Sequence, residues 1–105
     1  IASSSADLAH IAEAILYHHE RWDGEGYPRG LKGDEIPLIA RILAVVDAYD
    51  AITNDRPHSI ARSCGAALDE LVRCAGTHFD PQLVEVFVRL MEAHGEAAAS
   101  QHTEA

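Results

Sequence analysis

The fold and the chemistry of this chain can both be argued from residues 18–28, which read His18-His19-Glu20-Arg21-Trp22-Asp23-Gly24-Glu25-Gly26-Tyr27-Pro28. Two histidines and an acid stand at the end of a helical pattern. The glycines and the proline that follow interrupt regular structure, so a loop is expected to begin here. A helix end that presents imidazoles to a glycine-punctuated loop is a common way to build a functional site.

The residues on either side of this stretch predict two helices. Upstream, apolar residues at helical spacing predict a first helix over about residues 7–20. Residues 21–35 are polar and contain four glycines, which predicts a long loop. Pro37 suits the first turn of a second helix that runs to about Thr53. Its apolar residues cover a wide face, so this helix is expected to be central and buried.

The remainder of the chain predicts further helices. A short helical turn is expected over residues 59–63, and a third helix is expected to end at Gly76. Asp80, followed by proline, is typical of a helix start. This last helix is expected to end near His94, with residues 95–105 as a frayed or disordered tail. No strand is indicated, so the chain is predicted to be all-α, a helical bundle of four to five helices with a long glycine-rich loop.

The composition excludes several classes of function. The 105 residues carry a formal net charge of −9, which argues against nucleic-acid binding. No apolar run approaches the roughly 20 residues of a membrane span, and the first residues lack the basic start of a signal peptide. The two cysteines lack Cys-x-x-Cys spacing and are expected to be reduced, small hydrophobic residues. The negative charge would repel an anionic substrate unless bound divalent metal ions supplied positive charge.

The histidine pair is a candidate metal site. Consecutive helical residues point about 100° apart, so His18 and His19 suit two neighbouring metal ions better than one shared ion. Asp47 interrupts the apolar run of the second helix, where a carboxylate needs a partner. It is either a third ligand or a helix-face acid paired with Arg41 or Arg56. By itself, a histidine pair is more often a surface or helix-end feature.

An ordered set of motifs resembles the HD-GYP domains, which are bacterial metal-dependent phosphodiesterases of the HD superfamily that hydrolyse cyclic di-GMP. The motifs are His18-His19-Glu20, Asp23-Gly24-Glu25-Gly26-Tyr27-Pro28, Gly30-Leu31-Lys32-Gly33, Ile36-Pro37, Ala40-Arg41-Ile42, Asp47-Ala48-Tyr49-Asp50-Ala51, Asp55-Arg56-Pro57 and Ala75-Gly76-Thr77-His78-Phe79-Asp80-Pro81. The resemblance implies the helical HD-superfamily fold. It also implies hydrolysis of cyclic di-GMP to the linear dinucleotide or GMP, in the bacterial cytoplasm.

The resemblance assigns roles to particular residues. It implies that His18, His19 and Asp47 are ligands of divalent metal ions, two or three in number, with iron or manganese expected. Arg56 corresponds to a position that contacts substrate phosphate, and the alternative is a cap for the second helix. Tyr27 is expected to bind substrate by stacking on a guanine base.

The other residues near the loop have several open roles. Glu20 could orient a ligand histidine, or it could be a helix-end acid exposed to water. Trp22 is expected to pack on the second helix, and Asp50 to be a structural acid held by loop donors. Residues 58–59 are His-Ser where the family has an aromatic-basic pair, so one phosphate-binding charge is lost. The residues expected to shape the loop or support the ligands are Asp23, Gly24, Gly26 and Pro28. The histidines that lack ligand spacing, and are not expected to bind metal, are His10, His78, His94 and His102.

One family motif is absent from the sequence. None of the seven histidines is followed by aspartate, so the His-Asp pair that names the superfamily is missing. Residues 1–94 are therefore expected to be the C-terminal part of an HD-GYP domain, with 95–105 as a flexible tail. The alternative is a catalytically incomplete regulatory or interaction module that uses the Gly-Tyr-Pro loop to dock a diguanylate cyclase (GGDEF) domain. An apolar face left uncovered would also favour self-association.

Overall fold

The structure, a computed structural model, describes residues 2–104, and the side chains of residues 7–95. Its elements are α1 (Ala2–Tyr17), a 3₁₀ turn (Gly33–Glu35), α2 (Leu38–Thr53), α3 (Cys64–Arg73) and α4 (Pro81–Glu104). No strand occurs within residues 2–104, which confirms the all-α prediction. Among the described helices, none combines the length and the hydropathy that a membrane span requires.

The buried core lies where α2, α3 and α4 meet. Val45, Leu71 and Val84 come one from each of these helices and form the buried cluster. Tyr49 and Phe87 pack edge to face beside it, with their ring centroids 5.2 Å apart. Because α2 contacts α1, α3 and α4, the second helix is central, as the sequence predicts.

One face of α2 is nevertheless uncovered, so the prediction of a buried helix is only partly right. Ile39, Ile42 and Val46 are exposed over 53%, 42% and 44% of their surface. These side chains line two adjoining apolar grooves, one toward α1 and one toward α4. The neighbouring helices α1 and α4 form the walls of these grooves and leave the three side chains exposed.

The first helix ends earlier than its hydrophobic pattern suggests. α1 stops at Tyr17, and His18 and His19 stand in the turn that follows. The Glu20 amide closes this turn by donating to the Tyr17 carbonyl at 3.0 Å. The angular argument for consecutive helical residues therefore does not apply to the histidine pair.

The predicted helical turn over residues 59–63 is wrong. Arg56 and Ser59 instead exchange two backbone hydrogen bonds, of 2.9 and 3.2 Å, around a tight turn at Pro57 and His58. The chain beyond Ser59 is irregular and is held to α2 by a bond from the Arg62 amide to a helix carbonyl. A proline at the second turn position fixes a backbone angle suited to such a turn.

The last helix is longer than predicted. α4 continues to Glu104, past the end expected near His94. The division of the chain into residues 1–94 and a tail stays a prediction.

A buried ion pair joins the start of α4 to α2. Asp80 is 5% exposed, and its Oδ2 accepts a hydrogen bond from the Arg41 guanidinium at 2.8 Å. Its Oδ1 accepts from the Gln82 amide at 2.9 Å, so Asp80 is the helix cap that the sequence predicts. Arg41 also donates to the Ile36 carbonyl, which fixes the segment that enters α2.

Replacing Arg41 with methionine should lower the free energy of unfolding by about 3–5 kcal/mol, because the Asp80 carboxylate would stay buried without its cation. Arg89→Met is the matched control: Arg89 pairs with Glu85 within α4, and 76% of its side chain is exposed. This control should cost less than about 0.5 kcal/mol. Urea denaturation of both variants measures the difference, and equal losses would contradict the account.

Candidate functional site

Glu20 anchors the long loop to the end of α1. Its side chain is 4% exposed, and its two oxygens accept hydrogen bonds from the Arg29 and Leu31 amides at 2.8 and 2.9 Å. A buried carboxylate requires such donors to offset the loss of water. Glu20 is therefore buried, which corrects the expectation of an acid exposed to water, and its hydrogen bonds go to loop amides and to no described histidine.

The glycines allow the loop to fold back on α1. A Cβ added at Gly26 would lie 2.5 Å from the His19 carbonyl oxygen and closer still to the Arg21 nitrogen. Gly24 has a φ of 85°, a backbone conformation that side chains disfavour. The chain then passes through a cis peptide bond between Tyr27 and Pro28. The loop therefore lies directly against the backbone that carries the histidine pair.

Backbone hydrogen bonds tie the loop to the α3–α4 connector, residues 74–80. The Asp23 amide donates to the Thr77 carbonyl at 2.9 Å, and the Trp22 amide donates to the His78 carbonyl at 3.2 Å. The half-buried Trp22 lines a small cavity with Ile36 and Phe79. The same cavity is lined by Arg41 and Ala44 of α2, so Trp22 lies beside the second helix, as the sequence predicts.

Asp23 is held by its neighbours in the loop. Its carboxylate accepts from the Glu25 amide at 3.0 Å and from Arg21 at 2.7 Å. The Glu25 hydrogen bond, with a further contribution from the Arg21 charge, holds the pKa of the Asp23 carboxyl below its usual value. Asp23 therefore stays ionised and stiffens the loop.

His18, His19 and Asp47 line one open cavity of about 260 Å³, together with Arg21 and His78. The two adjacent imidazole rings lie 3.8 Å apart between centroids and are tilted by 40°. Loop and helices therefore bring the three predicted ligands to a common surface, although Asp47 is far from the histidines in sequence.

The orientation of the histidine rings is set by neighbours. His18 Nδ1 lies 2.5 Å from the Ile15 carbonyl oxygen. A carbonyl only accepts, so Nδ1 is the donor, and in the neutral form of the ring the lone pair is then on Nε2. Tyr27 stacks on His19, with centroids 5.0 Å apart and 17° between the planes. A lone pair fixed in this manner is typical of metal-binding histidines.

Asp47 has no hydrogen-bonding or ion-pair partner among the described side chains. Arg41 pairs with Asp80, and Arg56 donates to Asp50 at 2.9 Å. The alternative that pairs Asp47 with one of these arginines is therefore wrong. Its carboxylate is exposed and available for a ligand.

The donors suit a divalent metal in type but do not form a complete shell. Imidazole nitrogen and carboxylate oxygen are ordinary ligands of iron, manganese and zinc. Within residues 7–95, however, no group of three or more histidine, cysteine, aspartate or glutamate side chains is arranged closely enough to hold an ion. The described residues therefore offer candidate donors for a metal but not a complete set of ligands.

Arg56 and Asp50 form a separate structural unit at the end of α2. Asp50 accepts from Arg56 and from the Asn54 amide group, at 2.9 Å each. Arg56 does not line the cavity of His18 and Asp47. This geometry favours the helix-cap interpretation of Arg56 and agrees with a structural role for Asp50.

His78 also lines the cavity of His18, His19 and Asp47, although its position in the sequence lacks the spacing of a metal ligand. Its approach depends on the backbone bonds between loop and connector, which periodicity does not reveal. The one feature of the sequence that could have indicated a role for His78 is its position in the family motif Ala75–Pro81. His10 and His94 are exposed and do not line the cavity, and the side chain of His102 lies outside the described residues.

Comparison with known proteins establishes the family. The family model described as HD domain matches residues 2–83, which is more than half of the chain. The chain belongs to the HD domain family, and its relatives and motifs place it among the HD-GYP domains.

Several curated relatives carry enzymatic names. A cyclic di-GMP phosphodiesterase of Thermotoga maritima is 44% identical over 84% of this chain and 24% of its own length. A cyclic di-GMP phosphodiesterase response regulator of Xanthomonas campestris is 50% identical over 70% of this chain and 20% of its own. A 3'3'-cGAMP-specific phosphodiesterase of Vibrio cholerae is 42% identical over 81% of this chain and 16% of its own length. The chain thus spans a quarter or less of the length of these relatives.

A solved structure agrees with the fold. The crystal structure of a cyclic GMP-AMP-specific phosphodiesterase of Vibrio cholerae superposes with a TM-score of 0.70 at 35% sequence identity. The match covers 79% of this chain and 19% of that one.

Proposed function

We propose that this chain forms part of a metal-dependent phosphodiesterase that hydrolyses a cyclic dinucleotide, with cyclic di-GMP as its substrate. The observation that carries the proposal is the single cavity lined by His18, His19 and Asp47, with the Gly-Tyr-Pro loop fixed beside it. The names of the relatives support the same reaction class. The activity belongs to bacterial second-messenger signalling in the cytoplasm.

The proposed metal ligands are His18 through Nε2, His19 and Asp47, in a site for two or three iron or manganese ions. Bound divalent ions supply positive charge for the phosphate and a water of lowered pKa as nucleophile. That charge matters here, because the chain itself carries a net charge of −9. Further ligands must come from outside the described residues.

The chain's own residues orient these groups. The Ile15 carbonyl holds the His18 ring, and Glu20 holds the loop that brings Tyr27 over His19. Tyr27 is 62% exposed, so much of its ring remains accessible beside the cavity. We place a purine base on this surface, since an aromatic face stacks on any base.

Arg56→Gln tests whether Arg56 contacts substrate phosphate, the role that the family resemblance implies, or caps the second helix. Because Arg56 is bonded to Asp50 outside the cavity, we expect a loss of about 0.2–1 kcal/mol in unfolding free energy and a KM within about twofold of wild type. Thermal unfolding and steady-state kinetics measure the two effects in the full-length protein, by which we mean this chain joined to the remaining part of an HD-GYP domain. A KM raised about tenfold, with unchanged metal content, would show that Arg56 meets phosphate as the resemblance implies.

Hydrolysis by the full-length protein tests the function directly. Purified protein is loaded with Mn²⁺ or Fe²⁺ without oxygen and mixed with cyclic di-GMP or 3'3'-cGAMP, and the products are separated by chromatography. We expect linear dinucleotide or GMP from cyclic di-GMP, and no reaction after chelation. The 105-residue chain alone should be inactive, because its described residues hold no complete metal shell. Folded, metal-loaded protein that cleaves neither nucleotide would contradict the proposal.

A docking function is the second candidate. Residues 27–30 at the loop tip are exposed, while the loop beneath them is held by Glu20 and the connector. A rigid, exposed tip suits recognition of a diguanylate cyclase (GGDEF) domain, and a pull-down with that domain separates this function from hydrolysis. The uncovered apolar face of α2 supports the remaining partner prediction, which is self-association.

A further inference from the structure

Arg21 brings a permanent positive charge to the cavity of the proposed metal ligands. Among the described residues that line this cavity, it is the one arginine or lysine. Arg41 and Arg56 lie outside the cavity, and each is bonded to an aspartate there. In a chain with a net charge of −9, such a cation is the part of the cavity wall that attracts an anion.

The Arg21 side chain is held in place from the loop. Its Nη2 donates to Asp23 Oδ2 at 2.7 Å. Asp23 is fixed in turn, because its Oδ1 accepts from the Glu25 amide and its own amide donates to the Thr77 carbonyl. Only 34% of the Arg21 side chain is exposed. A guanidinium fixed in advance loses less conformational entropy when it binds a ligand.

Arg21 retains donors that the protein does not use. A guanidinium has five N–H groups, and the hydrogen bond to Asp23 uses one of them. The Nε atom is buried and has no hydrogen-bond partner among the described residues. A buried donor without an acceptor is uncommon in proteins and calls for an explanation. An acceptor supplied by a ligand in the adjoining cavity would explain it.

The proposed substrate offers such an acceptor. A cyclic dinucleotide has two phosphodiester groups, each with one negative charge. The metal ions would neutralise the group that is cleaved, and the second group would still face an acidic protein. Arginine suits this second group, because its planar fork matches the oxygens of a phosphate.

We propose that Arg21 is a substrate-binding residue that donates hydrogen bonds to the phosphodiester group that is not cleaved. This inference rests on the proposed phosphodiesterase function. It adds to the metal ligands a contact that distinguishes a cyclic dinucleotide from a substrate with a single phosphate.

The test compares Arg21→Gln, Arg21→Lys and the control Arg89→Gln in full-length, manganese-loaded protein. Loss of a charged hydrogen bond should raise KM for cyclic di-GMP roughly 10- to 100-fold in Arg21→Gln. The value of kcat and the metal content should stay unchanged, because the contact is the same before and during the reaction. Arg21→Lys should give an intermediate KM, since lysine keeps the charge but loses the fork.

Arg89→Gln removes the same charge from a similar ion pair outside the cavity. Arg89 donates to Glu85 at 2.7 Å, the distance of the Arg21–Asp23 pair. Its KM should stay within about twofold of wild type, because exposed pairs contribute little. This control separates a contact in the cavity from a general effect of net charge.

A substrate with one phosphate separates binding from a structural role. Bis(p-nitrophenyl) phosphate has a single phosphodiester group, so Arg21→Gln should hydrolyse it as wild type does. If Arg21 only held the loop, the variant would lose activity on this compound and on cyclic di-GMP alike.

Wild-type KM for cyclic di-GMP in Arg21→Gln would overturn the inference, and so would equal losses on the two substrates. Either result, obtained beside an active wild-type protein, leaves the proposed function standing. A folded, metal-loaded wild-type protein that does not cleave cyclic di-GMP would overturn the proposed function and the inference with it.

Discussion

Asp47→Asn should lower phosphodiesterase turnover of the full-length protein by well over about 100-fold, which is the upper end for loss of a residue that only supports a metal ligand. Metal content should fall with it, because the neutral amide is a poor ligand in place of the carboxylate. The fold should survive, since Asp47 is exposed and bonded to no described side chain. His18→Ala and His19→Ala should behave in the same way.

Asp50→Asn is the matched control, because it makes the same chemical change one turn further along α2. Asp50 bonds to Asn54 and Arg56 and does not line the cavity. We expect a small loss of stability with normal metal content and turnover. Equal metal content in both variants, measured by plasma mass spectrometry, would show that Asp47 is not a ligand.

Gly26→Ala should destabilise the protein by about 1–3 kcal/mol, the usual cost of forcing atoms into a filled space. The added Cβ would collide with the backbone at His19 and Arg21, and backbone cannot yield as a flexible side chain can. The collision would displace the loop from the histidine pair, so metal affinity should fall as well.

Gly65→Ala is the control for Gly26→Ala. Gly65 lies in the first turn of α3, and an added Cβ would meet nothing within 4 Å. This variant should gain roughly 0.4–1 kcal/mol. Denaturation curves measure both, and the fluorescence of Trp22, the only tryptophan of the chain, reports on the loop directly. A stable Gly26→Ala variant with native Trp22 emission would contradict the close approach.

The helices could be predicted, and so could the residues His18, His19 and Asp47 that line one cavity, because their signals are local or belong to a recognisable motif. Apolar periodicity located α2, and Asp80 followed by proline marked the start of α4. Asp47 stood out as a charge in an apolar run. Such features depend only on residue type and on spacing within one segment of the chain.

The remaining features depend on contacts between distant segments, which periodicity does not contain. Glu20 resembles an exposed helix-end acid until the loop amides are brought to it. His78 joins the cavity only through the backbone pairing of the connector with Trp22 and Asp23. The exposed face of α2 follows from which helices cover it, and an apolar stripe alone cannot show that.

The central claim is that His18, His19 and Asp47 bind metal together. A crystal structure of the manganese-loaded, full-length protein, with anomalous scattering used to locate the ions, tests it most directly. The account predicts anomalous peaks in this cavity, in direct contact with the His18 and His19 nitrogens and with an Asp47 oxygen. Manganese bound elsewhere, with this cavity empty, would contradict it.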